Sequence, residues 1–302
     1  MPGTTALACR RCGRVSDSQA LTCELCGELL KRACALRPPG PEELERPASV
    51  PSQPAPRTID PAAELRARRE PWIYLALGLV SAPIFALTPL LGFMGWFLAS
   101  LVHEMGHSAV AWLLGMPSMP AIALDGHAAA VHSDQQLFLV AMILLVLATS
   151  LWKLLAGRAR VIALCALGVL YPALAFTSAR ELLHLAGGHG GELAFAVLAL
   201  WKALDGGFTD SRAERLLYGT VGWFLVGKNV FLGWGLATSA GSRAWYAENG
   251  SFGFTNDYIR IAEDLLGWRL ESVAWLAFLV SLAAVPAAIG LWRLLAASGR
   301  AD

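Results

Sequence analysis

Leu101-Val102-His103-Glu104-Met105-Gly106-His107-Ser108-Ala109 sets two histidines and a glutamate in the middle of an apolar run, and the setting of that run decides the fold. From Pro71 to Leu124 the only formally charged side chain is Glu104. A helix at the surface of a soluble domain shows water a polar face; this stretch has none to show, so its solvent must be hydrocarbon. Composition agrees: 56% of the 302 residues are hydrophobic and 16% are charged, against roughly 25% charged in soluble domains. A formal net charge of +1 lacks the basic excess of a nucleic-acid binder, so no nucleic-acid partner is expected.

Apolar runs long enough to cross roughly 30 Å of hydrocarbon recur after Trp72, each needing about 20 helical residues. They lie at approximately 72–90, 93–115, 136–155, 160–179, 181–203, 217–238 and 272–296. The fold class expected is therefore an all-α polytopic membrane protein with six or seven transmembrane helices and the lipid bilayer as its first partner. Pro83 and Pro89 interrupt the first run and kink it or make it re-entrant. Residues 116–135 and 239–271 do not span; the second is polar and aromatic enough for a lid or a substrate-facing loop. Three segments follow: 1–34, rich in cysteine; 35–70, with eight prolines, read as a flexible tether; and 71–302, the membrane domain. The first thirty residues lack an apolar signal region, and the N-terminus is expected in the cytoplasm.

On a helix, His103 and His107 are i and i+4, so both imidazoles face one metal while Glu104 flanks it. Two neutral imidazoles leave room for a third protein ligand and a water, whose proton Glu104 takes as general base. Three such residues within five positions of a bilayer helix are too costly to be incidental. The motif resembles the active-site helix of the site-2 protease-like intramembrane zinc metalloproteases. Val110 and Leu113 stand where the soluble metzincin pattern requires glycine and histidine. The resemblance implies zinc-dependent hydrolysis of a peptide bond in or near a transmembrane segment of a membrane-protein substrate.

That family draws its third ligand from an aspartate in an L-D-G string, and Leu124-Asp125-Gly126 and Leu204-Asp205-Gly206 offer two. The segment Glu181 to Glu192 competes, with His189 and Glu192 spaced i, i+3 among four glycines that let a second helix approach. The candidates are His127, His132, His184, His189, Glu181, Glu192, Asp125 and Asp205. His189 ranks first, then Asp205, then Glu192; His184 and Glu181 read as supporting residues. Lys228-Asn229 interrupts the sixth run and reads as a lysine snorkelling to the interface or capping a broken helix, ahead of the alternative of a substrate-positioning role.

Cys9, Cys12, Cys23 and Cys26 form two C-x-x-C-G knuckles ten residues apart. Four thiolates so spaced close a tetrahedral structural zinc site, resembling a short zinc ribbon. Two zinc ions are thus expected, one catalytic and one structural, and the ribbon is read as a recruitment module for a protein partner. The competing reading is a non-catalytic membrane scaffold or sensor whose intramembrane metal is structural or absent.

Overall fold

A computed structural model describes residues 7–8, 15–16, 61–123, 128–206, 208, 211–249 and 256–298, with side chains from Glu70 onward. The chain divides into two compact units, residues 1–59 and 60–302. In the first, strands β1 (Leu7–Ala8) and β2 (Val15–Ser16) pair antiparallel, Leu7 opposite Ser16. The four ribbon cysteines lie outside the described residues, as do Asp125 and His127.

Among its described residues, the elements of the second unit are helices and one hairpin. Its order is α1 (Pro61–Leu87), α2 (Pro89–Leu113), β3 (Ser118–Ile122), β4 (Ala128–His132), α3 (Leu137–Leu154), α4 (Gly157–Phe176), α5 (Ala179–Asp205), α6 (Arg212–Thr238), α7 (Ala240–Glu248), α8 (Asp257–Ile259), a π-helical stretch (Arg260–Leu266) and α9 (Leu270–Ser298). α1 starts ten residues inside the stretch read as a tether, because Pro61 suits a first helical turn and Ala62, Ala63, Glu64, Leu65, Arg66 and Ala67 are strong helix formers. Thr88 adopts an extended conformation and Pro89 opens α2, so that proline starts the second helix and does not kink the first.

Among the described residues, five helices are long and apolar enough to cross a membrane: Glu70–Leu87 of α1, α3, α4, α5, and Leu270–Ala297 of α9. They give the chain the character of a multi-pass membrane protein. The sequence runs at 93–115 and 217–238 fold as α2 and α6, of comparable length, but fall outside that set. α2 carries His103, Glu104 and His107; α6 carries Arg212, Glu214, Arg215, Lys228 and Asn229. Both pack extensively on α5.

Small residues make the α2–α5 approach possible. α2 buries Gly95, Ala99, Val102 and Gly106, which recur at helical spacing along one face. A Cβ on Gly106 would collide with the Gly187 carbonyl and lie 2.9 Å from Gly191 Cα. Gly187 and Gly191 are four apart on α5, so the two backbones meet at a small-xxx-small face. Beyond α2, Gly115 at φ +80° turns the chain into the β3–β4 hairpin, which pairs Ser118 with His132 and Ile122 with Ala128. Trp112 Nε1 donates to the Ser118 carbonyl at 2.7 Å, and Ser118 Oγ donates to Ser108 Oγ at 3.1 Å, fixing the hairpin to the metal-motif helix.

The far end of α5 is closed by Arg215. Its Nε donates to the Ala203 carbonyl at 3.0 Å and its Nη2 to that of Leu204 at 3.4 Å, satisfying acceptors the last helical turn leaves open. Nη1 lies 3.1 Å from Glu70, and the guanidinium sits 4.3 Å above the Tyr74 ring. Arg215→Met is therefore expected to lower stability by about 2–3 kcal/mol, the cost of losing charged donors to buried carbonyls. Thermal unfolding in detergent measures this, and an unchanged midpoint would show that water caps the helix equally well.

Candidate metal centre

One helical turn of α2 sets His103 Nε2 and His107 Nε2 3.1 Å apart. Onto this pair the structure brings Asp257, the first residue of α8: its Oδ2 lies 3.0 Å from His103 Nε2 and 3.1 Å from His107 Nε2. The other ring nitrogens are engaged from α5. His107 Nδ1 lies 2.6 Å from the His184 carbonyl, and His103 Nδ1 lies 2.9 Å from Glu192 Oε1.

These partners assign the tautomers. A carbonyl can only accept, so His107 Nδ1 donates, and the Glu192 carboxylate takes the Nδ1 proton of His103 in the same way. Both Nε2 atoms then face one carboxylate oxygen. Two imidazole nitrogens and a carboxylate oxygen converge, groups that a shared proton or a cation can hold together, and once the proton is displaced they are the donor set of a cation site. Their separations of 3.0–3.1 Å approach the edge of about 3.3 Å that zinc–ligand bonds of about 2.0–2.1 Å subtend in a tetrahedron. A histidine whose second nitrogen donates to a carboxylate or carbonyl is the usual support of a metal ligand.

Space at this point depends on Gly188. A Cβ there would lie within 2.5 Å of both Nε2 atoms. Glu104 is partly buried and lies where the Ala130 backbone of β4 can donate to its carboxylate. Burial works to raise the Asp257 carboxyl, but its contacts with His103 and His107 hold it well below the usual carboxylate range. Burial raises the phenols of Tyr246 and Tyr258, keeping both rings neutral.

The segment that carries Asp257 docks through its own apolar core. Tyr258, Ile259, Ile261 and Ala262 are buried with Leu185 of α5, Leu236 of α6, and Leu270, Val273 and Ala274 of α9. Asn256 Nδ2 donates to the Tyr246 carbonyl, and Arg260 pairs with Glu181 at 2.8 Å. The stretch after Asp257 is π-helical, a geometry frequent at functional sites.

Third-ligand candidates from the sequence take other places. His189, ranked first, stacks on Tyr258 with centroids 4.3 Å apart, and its Nδ1 lies 3.0 Å from Asn229 Oδ1. Glu192 meets the outer nitrogen of His103. With His103 and His189 it makes a second group close enough for a cation. There, however, Lys228 Nζ at 2.8 Å and Asn229 Nδ2 at 2.7 Å already occupy its two oxygens, and an ammonium is a poor neighbour for a metal. Asp205 ends α5, paired with Lys202 at 3.4 Å. It is 17 residues beyond Gly188, about 25 Å along the helix at 1.5 Å per residue. His184 contributes its backbone to His107, and its own Nδ1 is buried without a partner; His132 on β4 meets it edge to face at 5.0 Å. Lys228 does not snorkel away, because Glu192 gives its ammonium a partner inside the helix bundle. Asp257 was absent from the sequence candidates.

No family model, curated protein or solved structure matches the chain.

Proposed function

We propose that the chain is an intramembrane zinc metalloprotease of the site-2 protease-like type, with His103, His107 and Asp257 as metal ligands and Glu104 as general base. The observation that carries this reading is the convergence of two imidazole Nε2 atoms and one carboxylate oxygen, 3.0–3.1 Å apart, beside a helix-borne glutamate. Among the described residues this group holds three ligands, which leaves a tetrahedral ion one open position, the mark of catalytic sites over structural ones. Bound with both histidines neutral, a divalent ion would offset the two negative charges by which the Glu104, Asp257 and Glu192 carboxylates outnumber the Lys228 ammonium.

Zinc, when bound, supplies a Lewis acid that polarises a carbonyl and brings the pKa of water toward about 7. The chain's own residues do the remaining work. The Glu192 carboxylate and the His184 carbonyl hold the two imidazoles in the tautomer that frees Nε2. Glu104 accepts the proton of the attacking water and delivers it to the departing amine as the C–N bond breaks and the new C–O bond forms. In this reading α2 and α6 cross the bilayer with the five more apolar helices, for seven crossings. Their polar groups face α5 and one another, which is how ionisable side chains are tolerated at that depth. The substrate is a transmembrane segment unwound at the site, the N-terminus is cytoplasmic, and the cysteine ribbon with its structural zinc recruits a protein partner.

Zinc content of the purified full-length chain tests the ligand set. His103→Ala and Asp257→Ala are each expected to lose one zinc relative to wild type, while Asp205→Ala and His189→Ala keep it. Zinc lost with His189→Ala and kept with Asp257→Ala would move the centre to His103, His189 and Glu192. No loss with His103→Ala would end the metalloprotease reading.

A further inference from the structure

Glu192 is fully buried on α5, and donors from two other helices converge on its carboxylate. His103 Nδ1 at 2.9 Å and Lys228 Nζ at 2.8 Å share Oε1, and Asn229 Nδ2 donates to Oε2 at 2.7 Å. Lys228 keeps 31% of its side chain exposed, so its four-carbon stem has room to carry the ammonium elsewhere, yet Nζ lies on Glu192. Asn229 is itself buried. Since its Nδ2 donates to Glu192, its Oδ1 is left to accept from His189 Nδ1 at 3.0 Å. The His189 ring lies nearly parallel to Tyr258, which follows Asp257 in the chain. Two adjacent residues of α6 therefore reach the metal centre by two routes: through Glu192 to His103, and through His189 and Tyr258 to the Asp257 segment.

We propose that Lys228 and Asn229 are positioning residues for the metal centre, holding Glu192 so that its Oε1 receives the His103 Nδ1 proton and Nε2 is aimed at the ion. The proposal rests on reading His103, His107 and Asp257 as the ligands. Neither α6 residue is assigned a contact with metal or substrate. Lys228 acts by charge as well as by geometry. Without its ammonium, Glu192 stands as an uncompensated anion in the same centre as Asp257 and Glu104, and mutual repulsion turns it away from His103. The carboxylate then stops orienting the ring. Asn229 acts by shape, since its amide bridges Glu192 and His189 and fixes the carboxylate plane.

The test uses the full-length chain in lipid nanodiscs with Co2+ as the probe. Binding is followed by chelator competition and by the visible absorption band, taking His103→Ala as the baseline for any metal held elsewhere. Lys228→Met is expected to weaken Co2+ binding about 10–100-fold, the usual effect of removing a partner behind a metal ligand, and to shift the band. Lys228→Arg should restore both. In a Glu192→Gln background the same Lys228→Met change should cost less than about threefold, because the charge it compensates is gone. Wild-type affinity and band in Lys228→Met, or equal losses in the two backgrounds, would overturn the proposal. Should Lys228→Met fail to fold, Asn229→Leu leaves no charge unpaired and is expected to weaken binding about tenfold; unchanged binding there overturns the proposal too. Wild type that binds no more Co2+ than His103→Ala defeats the ligand reading itself, and the positioning role with it.

Discussion

Glu104→Gln is expected to keep its zinc and lose peptide hydrolysis by about 10²–10⁴-fold, the range a positioned general base contributes. In barrier terms that is about 3–5 kcal/mol, at 1.36 kcal/mol per decade. The separation of the two effects follows from where the side chain stands. In the proposed site His103, His107 and Asp257 hold the ion, while Glu104 sits one position along α2, where the Ala130 backbone N–H can donate to its carboxylate. Glutamine preserves the shape and an acceptor oxygen for that bond but cannot take a proton from water. The measurement pairs zinc content with cleavage of a library of fluorescent transmembrane-helix peptides in proteoliposomes. Zinc lost together with activity would make Glu104 a ligand. Wild-type cleavage with zinc retained would remove it from the chemistry.

What was legible beforehand in the sequence follows from the range of each interaction. His103 and His107 are four residues apart, and helical geometry alone puts them on one face. The long helices were legible because hydrocarbon demands uninterrupted apolar length, and α3, α4, α5 and α9 fall close to the expected runs. Asp257 was not legible. It meets His103 across 154 residues of chain and sits in a polar stretch, where an acidic side chain is ordinarily solvated. A charge within an apolar run is costly and therefore conspicuous, whereas one in a polar stretch is not. That cost shows that a buried polar group needs a partner and is silent about which. His189, Glu192, Lys228 and Asn229 satisfy one another, and only the fold shows that His189 meets Asn229 and Tyr258. The L-D-G string at Asp205 looked closer to a known pattern, yet it closes the far end of α5.

Gly188→Ala should cost the membrane site its metal outright, an effect out of proportion to one methyl group. In most helices glycine is a liability, and alanine in its place stabilises by about 0.4–1 kcal/mol when the backbone allows it. Gly190 is such a position: it lies in α5, exposed, with nothing within 4 Å of an added Cβ, so Gly190→Ala is expected to be neutral or mildly stabilising. Gly188, two residues earlier, differs only in what it faces. An added Cβ would come within 2.5 Å of His103 Nε2 and His107 Nε2 together, on the lone-pair side of both rings. Relief by moving α5 away is blocked, because Gly187 and Gly191 hold its backbone against Gly106. Relief by turning the rings breaks the Nδ1 contacts with Glu192 and the His184 carbonyl. The methyl therefore competes with the ion for one volume. Zinc content and thermal unfolding of the two variants, measured side by side, separate this from a general packing defect. Gly188→Ala should bind no zinc at the membrane site and unfold somewhat below the wild-type apoprotein, since the rings must turn, while Gly190→Ala keeps both its zinc and its midpoint; a Gly188→Ala variant that kept that zinc would show that the ion sits elsewhere than between these two nitrogens.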